Sequence, residues 1–198
     1  VNVDQFYGIE IDEFAARIAE VGMWLIDHQM NMKVSSIFGQ YFVRLPLRAS
    51  ATIAHGNSLR IDWESVVPKE QLNYIIGNPP FYGSKMQSKE QRADLANVFG
   101  EVKNAKTMDY VSAWYIKAAQ YIQQTKIKAA FVSTNSITQG EQTGILWNEM
   151  LNKYGITIHF AHRTFKWTNE AKGKAAVYVI IVGFANFETK TKTLYDYE

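Results

Sequence analysis

The stretch NYIIGNPPF, residues 73–81, joins a short apolar run to two consecutive prolines. Asn73 to Ile76 reads as a buried strand, and Gly77-Asn78-Pro79-Pro80 ends it. Neither proline has an amide hydrogen for a sheet, so the chain must turn away rigidly at that point. Outward from this corner, strands alternate with helices. Phe6 to Ile11 reads as a strand, and Asp12 caps a helix after it. Phe14, Ala15, Ile18, Ala19, Gly22, Leu25 and Ile26 recur at helical spacing, so that face is expected to pack on a sheet. Residues 31–50 are mixed, and Pro46 argues against a helix running through them. Thr52 to His55 reads as a strand closed by Gly56-Asn57-Ser58.

Residues 83–107 are polar and loop-rich, with a helix from Ser88 to Val98. Asp109 to Ile122 is a helix with Val111, Tyr115, Ala118, Ala119 and Ile122 on one side. Ala129 to Ser133 is a strand, and a helix from Glu141 to Lys153 stops at the C-cap glycine Gly155. Ile156 to Ala161 and Ala175 to Phe184 are strands separated by a polar turn. The order predicts an α/β fold with a mostly parallel sheet and an antiparallel C-terminal hairpin at its edge.

Open sheets of this kind bind ligands beyond the carboxyl ends of their strands. Three such ends carry unusual polar residues: Glu10 with Asp12, Asn57 with Ser58, and Asn78-Pro79-Pro80-Phe81. At the last, a rigid turn fixes two acceptors, the Asn78 side-chain oxygen and the Pro79 carbonyl. Together they suit a primary amine, which has two N–H donors. Holding both hydrogens turns the nitrogen lone pair out of conjugation with an attached aromatic ring. Phe81 then offers a face on which that ring can stack. A surface Pro-Pro turn is the plain alternative. Glu10 suits a ribose diol and Ile11 an adenine face, although an acid here is more often a helix cap, a role Asp12 fills. Asn57 suits an adenine amino group or, equally, a simple Gly-Asn-Ser turn.

Composition narrows the classes further. The 198 residues are 47% hydrophobic and 20% charged, which is globular and excludes a disordered chain. Zero cysteines excludes disulfides, thiolate zinc sites and a cysteine nucleophile, and fits a reducing compartment. A net charge of +2 is too balanced to predict a polyanion partner by itself. No run of about 18 apolar residues is present to span a membrane. The start, VNVDQFYGIE, lacks the basic leader and apolar core of a signal peptide, and both ends read as cuts within a longer chain. His28, His55, His159 and His162 have no metal-ligand spacing, and no metal site is expected. Trp24, Trp114 and Trp147 lie on helices and are expected in the core. Lys166, Lys172 and Lys174 around Trp167 suit phosphates or a solvated turn.

The strings FYGIEIDEFAARIAEVGMWL, AHGNSLRIDW, IIGNPPFYGSK, MDYVSAWYIKAAQYI and KAAFVSTNSITQGEQ follow one another as in S-adenosylmethionine-dependent DNA adenine-N6 methyltransferases. The chain most resembles the methyltransferase part of type IIG restriction–modification enzymes, over nearly its whole length. The resemblance implies a Rossmann-like class I methyltransferase sheet, methylation of adenine in double-stranded DNA, and a prokaryotic cytoplasmic setting. It also implies that Glu10, Ile11, Asn57 and Ser58 hold the cofactor and that Asn78, Pro79, Pro80 and Phe81 form the catalytic loop. Asn57 stands where the family usually has aspartate. Phe165, read between the last two strands, corresponds loosely to a second aromatic touching the target base.

Family members open with a strand and a glycine-rich turn, yet no G-x-G occurs here. Residues 1–198 are therefore expected to be a partial catalytic domain, with that central strand and the target-recognition domain lying elsewhere. Two alternatives remain open. Related loops methylate RNA bases or a protein glutamine amide, and a bare fragment could be catalytically inert.

Overall fold

The expected strands and capped helices form, but the strand at Tyr74–Gly77, expected to be buried, is exposed at Tyr74 and Ile76. The computed structural model describes residues 2–39, 50–167 and 177–197. Pro46, Lys172 and Lys174, and the first two residues of the strand expected from Ala175, lie outside the described residues. The chain divides into two compact units, Val1–Pro68 and Lys69–Glu198. No helix among the described residues is long and apolar enough to cross a membrane.

In the first unit, β1 (Tyr7–Glu10) pairs in parallel with β2 (Thr52–His55), with Glu10 opposite His55. Helix α1 (Glu13–Phe38) starts where the Asp12 carboxylate accepts the Ala15 amide at 2.8 Å, and ends at Gly39 with φ +64°. A short helix, α2 (Trp63–Val66), follows β2.

The expected apolar face of α1 does not pack. Ala16 is the buried residue, while Phe14, Ile18, Leu25 and Ile26 are exposed, Phe14 by 75%. Geometry explains this. A helix of 26 residues is about 39 Å long, whereas a four-residue strand spans about 13 Å. Two short strands cover one stripe of such a helix and leave the rest bare.

The second unit carries β3 (Tyr74–Gly77), α3 (Lys89–Phe99), α4 (Ser112–Tyr121), β4 (Lys128–Thr134), α5 (Glu141–Trp147), β5 (Thr157–Trp167), β6 (Val177–Ala185) and β7 (Thr193–Tyr195). Its five-stranded sheet has the order β3-β4-β6-β5-β7. β3 and β4 are parallel, β6 runs antiparallel to both β4 and β5, and β7 is parallel to β5. Counting β1 with β2, three of the five strand pairings are parallel. The antiparallel hairpin is present, but β7 takes the edge beyond it. β5 also runs on to Trp167, with register shifts at Ile158/Phe160 and His162/Phe165, through residues expected to form a turn.

The predicted stripe of α4, Val111, Tyr115, Ala118, Ala119 and Ile122, is wholly buried. Tyr115 stacks on Phe184 at 5.6 Å and meets the Phe131 ring edge-on at 5.4 Å. Helix α5 continues as a π-helical turn, Asn148–Lys153, before Gly155 reverses the chain at φ +59°.

Burial pushes the Tyr115 hydroxyl well above the ordinary tyrosine range, and its bond to Ser133 only partly offsets that. An unfolded tyrosine ionises near pH ~10. The folded state therefore holds a proton that the unfolded chain releases, and stability should fall as pH rises above about 10. Urea midpoints measured from about pH 8 to about pH 11 should decline more steeply in the native protein than in Tyr115→Phe. Identical pH profiles would show that the buried hydroxyl has no part in the alkaline loss.

Candidate functional site

Two strand ends in the first unit face the same way because β1 and β2 are parallel and in register. This brings Glu10, Ile11, Asn57 and Ser58 to one end of that pair. Glu10 is half-buried, and its Oε1 accepts the Asp12 amide at 3.0 Å. Among the described residues its second oxygen has no partner. Ile11 is 65% exposed, and its carbonyl lies 3.1 Å from His55 Nε2. The Asn57 side-chain oxygen accepts the Leu59 amide at 2.9 Å, and its carbonyl accepts the amides of Arg60 and Ile61. The Gly-Asn-Ser turn is thus real, and the Asn57 amide oxygen takes part in it. The Ser58 carbonyl accepts the Trp63 indole N–H at 2.8 Å.

In the second unit, the chain leaves β3 at Gly77 and enters Asn78-Pro79-Pro80-Phe81. Pro79 is buried and anchors the corner, Phe81 is half-buried, and Asn78 and Pro80 are exposed. Among the described residues, neither the Asn78 side chain nor the Pro79 carbonyl has a hydrogen-bond partner. A Cβ at Gly77, beside the corner, would sit 3.2 Å from the Phe131 ring, so a side chain there would need that ring to give by a few tenths of an ångström.

Phe165 lies within β5, a correction to its expected place between the last two strands. The strand persists because Phe165, Lys166 and Trp167 pair with Val179, Tyr178 and Val177. Register places Phe165 usefully. Val179 is opposite both Phe165 and Thr134, so Phe165 sits in line with the carboxyl end of β4. That end neighbours the carboxyl end of β3, from which the Asn78 corner departs. Its ring packs 5.3 Å from Tyr197 and 6.2 Å from Trp167.

A hub that local sequence does not reveal lies directly behind the corner. Asp109 Oδ1 accepts the amides of Tyr82 and Val111, each at 3.2 Å. Its Oδ2 accepts the Thr134 and Ser136 hydroxyls, each at 3.3 Å. The Asp109 amide donates to Gln142 Oε1 at 2.7 Å. Gln87 Nε2 bridges the carbonyls of Tyr82 and Met108 at 2.8 and 2.9 Å. The sequence shows Asp109 only as the first residue of a helix.

Other candidates have structural partners. His159 meets the Phe187 carbonyl at 2.8 Å, and His162 bonds Tyr197 and stacks on Tyr195. His28 is exposed on α1. Trp24, Trp114 and Trp147 are half-buried rather than fully in the core, and Trp147 donates to the Ile137 carbonyl at 2.8 Å. Among the described residues no group of three His, Asp or Glu side chains could hold a metal. An open hollow of about 550 Å³ is lined by Glu101, Lys103, Asn148, Glu149 and Lys153 among others, and by none of the residues singled out above.

Known proteins share this architecture. A protein from Listeria monocytogenes, described as a class I S-adenosylmethionine-dependent methyltransferase, matches 96% of the chain with a TM-score of 0.50 at 11% identity, over 58% of its own length. The fold is that of class I methyltransferases. More specifically, the chain belongs to the family of the MmeI DNA-methyltransferase domain, whose model matches residues 1–196. The type IIL restriction–modification enzyme MmeI, solved in complex with DNA, is 55% identical over the whole chain with a TM-score of 0.96. DNA methyltransferase A of Bacillus subtilis (strain 168) is 47% identical over 193 residues, 96% of the chain. The chain spans 26% of the MmeI chain and 22% of the Bacillus protein.

Proposed function

We propose that residues 1–198 are part of the catalytic domain of an enzyme that methylates the N6 amino group of adenine in double-stranded DNA within a restriction–modification system. The observation that carries this reading is the pair of acceptors without a partner among the described residues, the Asn78 side-chain oxygen and the Pro79 carbonyl, on a corner anchored by buried Pro79. An adenine amino group presents two N–H donors to such a pair. Holding both frees its nitrogen lone pair from the ring and needs no general base beforehand. Adenine has to leave the duplex to reach the corner, and Phe81, with Phe165 in line along the sheet end, supplies aromatic faces for it. The bacterial cytoplasm is the compartment this reading implies.

S-adenosylmethionine, when bound, supplies an activated methyl group on a sulfonium sulfur. The residues of the first unit fit it. Glu10 has an uncommitted carboxylate oxygen suited to a ribose hydroxyl, and Ile11 beside it offers an exposed apolar face to adenine. The Asn57 amide and Ser58 complete that end.

The reading also requires a fuller sheet. Among the described residues β3 has a neighbour on one side only, and Ile76 on it is 84% exposed. A further strand and its glycine-rich turn, supplied by the longer protein, complete this edge. One experiment tests both statements. Full-length protein given labelled cofactor with DNA, RNA and protein should label DNA, as N6-methyladenine. Residues 1–198 alone should take up far less labelled cofactor in equilibrium dialysis. Label in RNA or in a glutamine amide would overturn the substrate, and equal cofactor uptake would overturn the missing strand.

A further inference from the structure

Asp109 is a buried carboxylate, 4% exposed, that the chemistry above does not use. Among the described residues it has no cationic partner. An unmet carboxylate in such a place is costly. Four neutral donors meet this one, and they come from three separate segments. Tyr82 directly follows Phe81 of the corner, Val111 precedes α4, and Thr134 and Ser136 flank the carboxyl end of β4. The Tyr82 carbonyl is held in turn by the Tyr110 amide at 2.9 Å and by Gln87 Nε2 at 2.8 Å.

The Tyr82 amide belongs to the peptide plane that joins it to Phe81. Fixing that plane from one side and the Tyr82 carbonyl from the other leaves Phe81 little freedom to rotate. At its other end the corner is already set by β3 and by the two prolines. The Asp109 carboxylate is thus the point at which the exit of the corner is tied to β4. We propose that Asp109 is a positioning residue, which holds the end of Asn78-Pro79-Pro80-Phe81 where a base can be stacked and its amine aimed. This rests on the methyl-transfer reading above. It extends that reading by placing part of the precision of the site in a residue that never touches substrate.

The test uses full-length protein with Asp109→Ala, Asp109→Asn and Asp109→Glu, with single-turnover methylation, cofactor affinity and DNA affinity measured for each. Small misplacements at a reacting centre cost about 100-fold in rate, and a loss of that order is expected for Asp109→Ala. Cofactor and DNA affinities should stay within about threefold, since the loss falls on orientation rather than binding. Asp109→Asn keeps an oxygen for Tyr82 and Val111 and offers N–H groups to the two hydroxyls, so it should recover most of the rate. Asp109→Glu keeps the charge but lengthens the reach by one methylene. It should fold and still transfer slowly, which preserves the test if the alanine variant does not fold.

Amide exchange at Tyr82 should quicken in the alanine and glutamate variants and not in the asparagine variant. Wild-type rates in Asp109→Glu, or a rate loss matched by lost affinity without rescue by asparagine, would overturn the proposal. If the native protein methylates no DNA adenine, the functional reading fails by itself, and Tyr82 exchange still decides whether Asp109 holds the corner.

Discussion

Asn78→Ala in the full-length protein is expected to lower single-turnover methylation by about 10²–10³-fold, the usual cost of removing one fixed hydrogen-bonding partner from a reacting group. Cofactor affinity should be nearly unchanged, because the residues assigned to it sit on β1 and after β2 rather than at this corner. The asymmetry follows from the geometry. Asn78 is exposed and bonded to nothing among the described residues, so its removal leaves no buried group unsatisfied and should not disturb folding. Asn78→Asp keeps an acceptor oxygen in place and should retain a measurable rate. Near-native transfer by the alanine variant would sink the assigned role, whatever its effect on stability.

The second large effect is on folding. Gly183 on β6 stands opposite Phe160 on β5, and a Cβ at Gly183 would lie 2.1 Å from the Phe160 ring. No real methyl approaches that closely, so the ring has to swing away, breaking its edge contact with His162 at 5.8 Å. Overpacking of this kind costs about 1–3 kcal/mol. Gly183→Ala should therefore lower the melting temperature by roughly 3–10 °C. Adding Phe160→Leu should return part of the loss, since the smaller side chain makes room for the methyl. An unchanged melting temperature in Gly183→Ala would mean that the ring yields freely and that the close approach contributes nothing.

What could be read from the sequence was what local chemistry dictates. Asp12 caps its helix, a helix does begin at Ser88, Gly155 ends one, and the apolar stripe of α4 is buried residue for residue. The corner at Asn78 was legible because two prolines after an apolar run permit few conformations. What escaped was set by distant partners. β7 is three residues long and exists as a strand because β5 runs alongside it. The polar residues of β5 around Arg163 look like a turn, yet pairing with β6 keeps the strand going through two register shifts. The outer face of α1 reads as core because its apolar spacing is helical. Spacing states which residues share a face and says nothing of whether a neighbour is wide enough to cover it. In the sequence Asp109 reads only as the start of a helix, because its bonds to Tyr82, Thr134 and Ser136 span 25 or more residues of chain.

That uncovered flank of α1 has a practical side. Phe14, Ile18, Leu25 and Ile26 form an oily strip in water, and oily strips invite molecules to stick to one another. A segment cut out at these boundaries for transplantation into another protein would carry this strip with it and would need it repainted with charge.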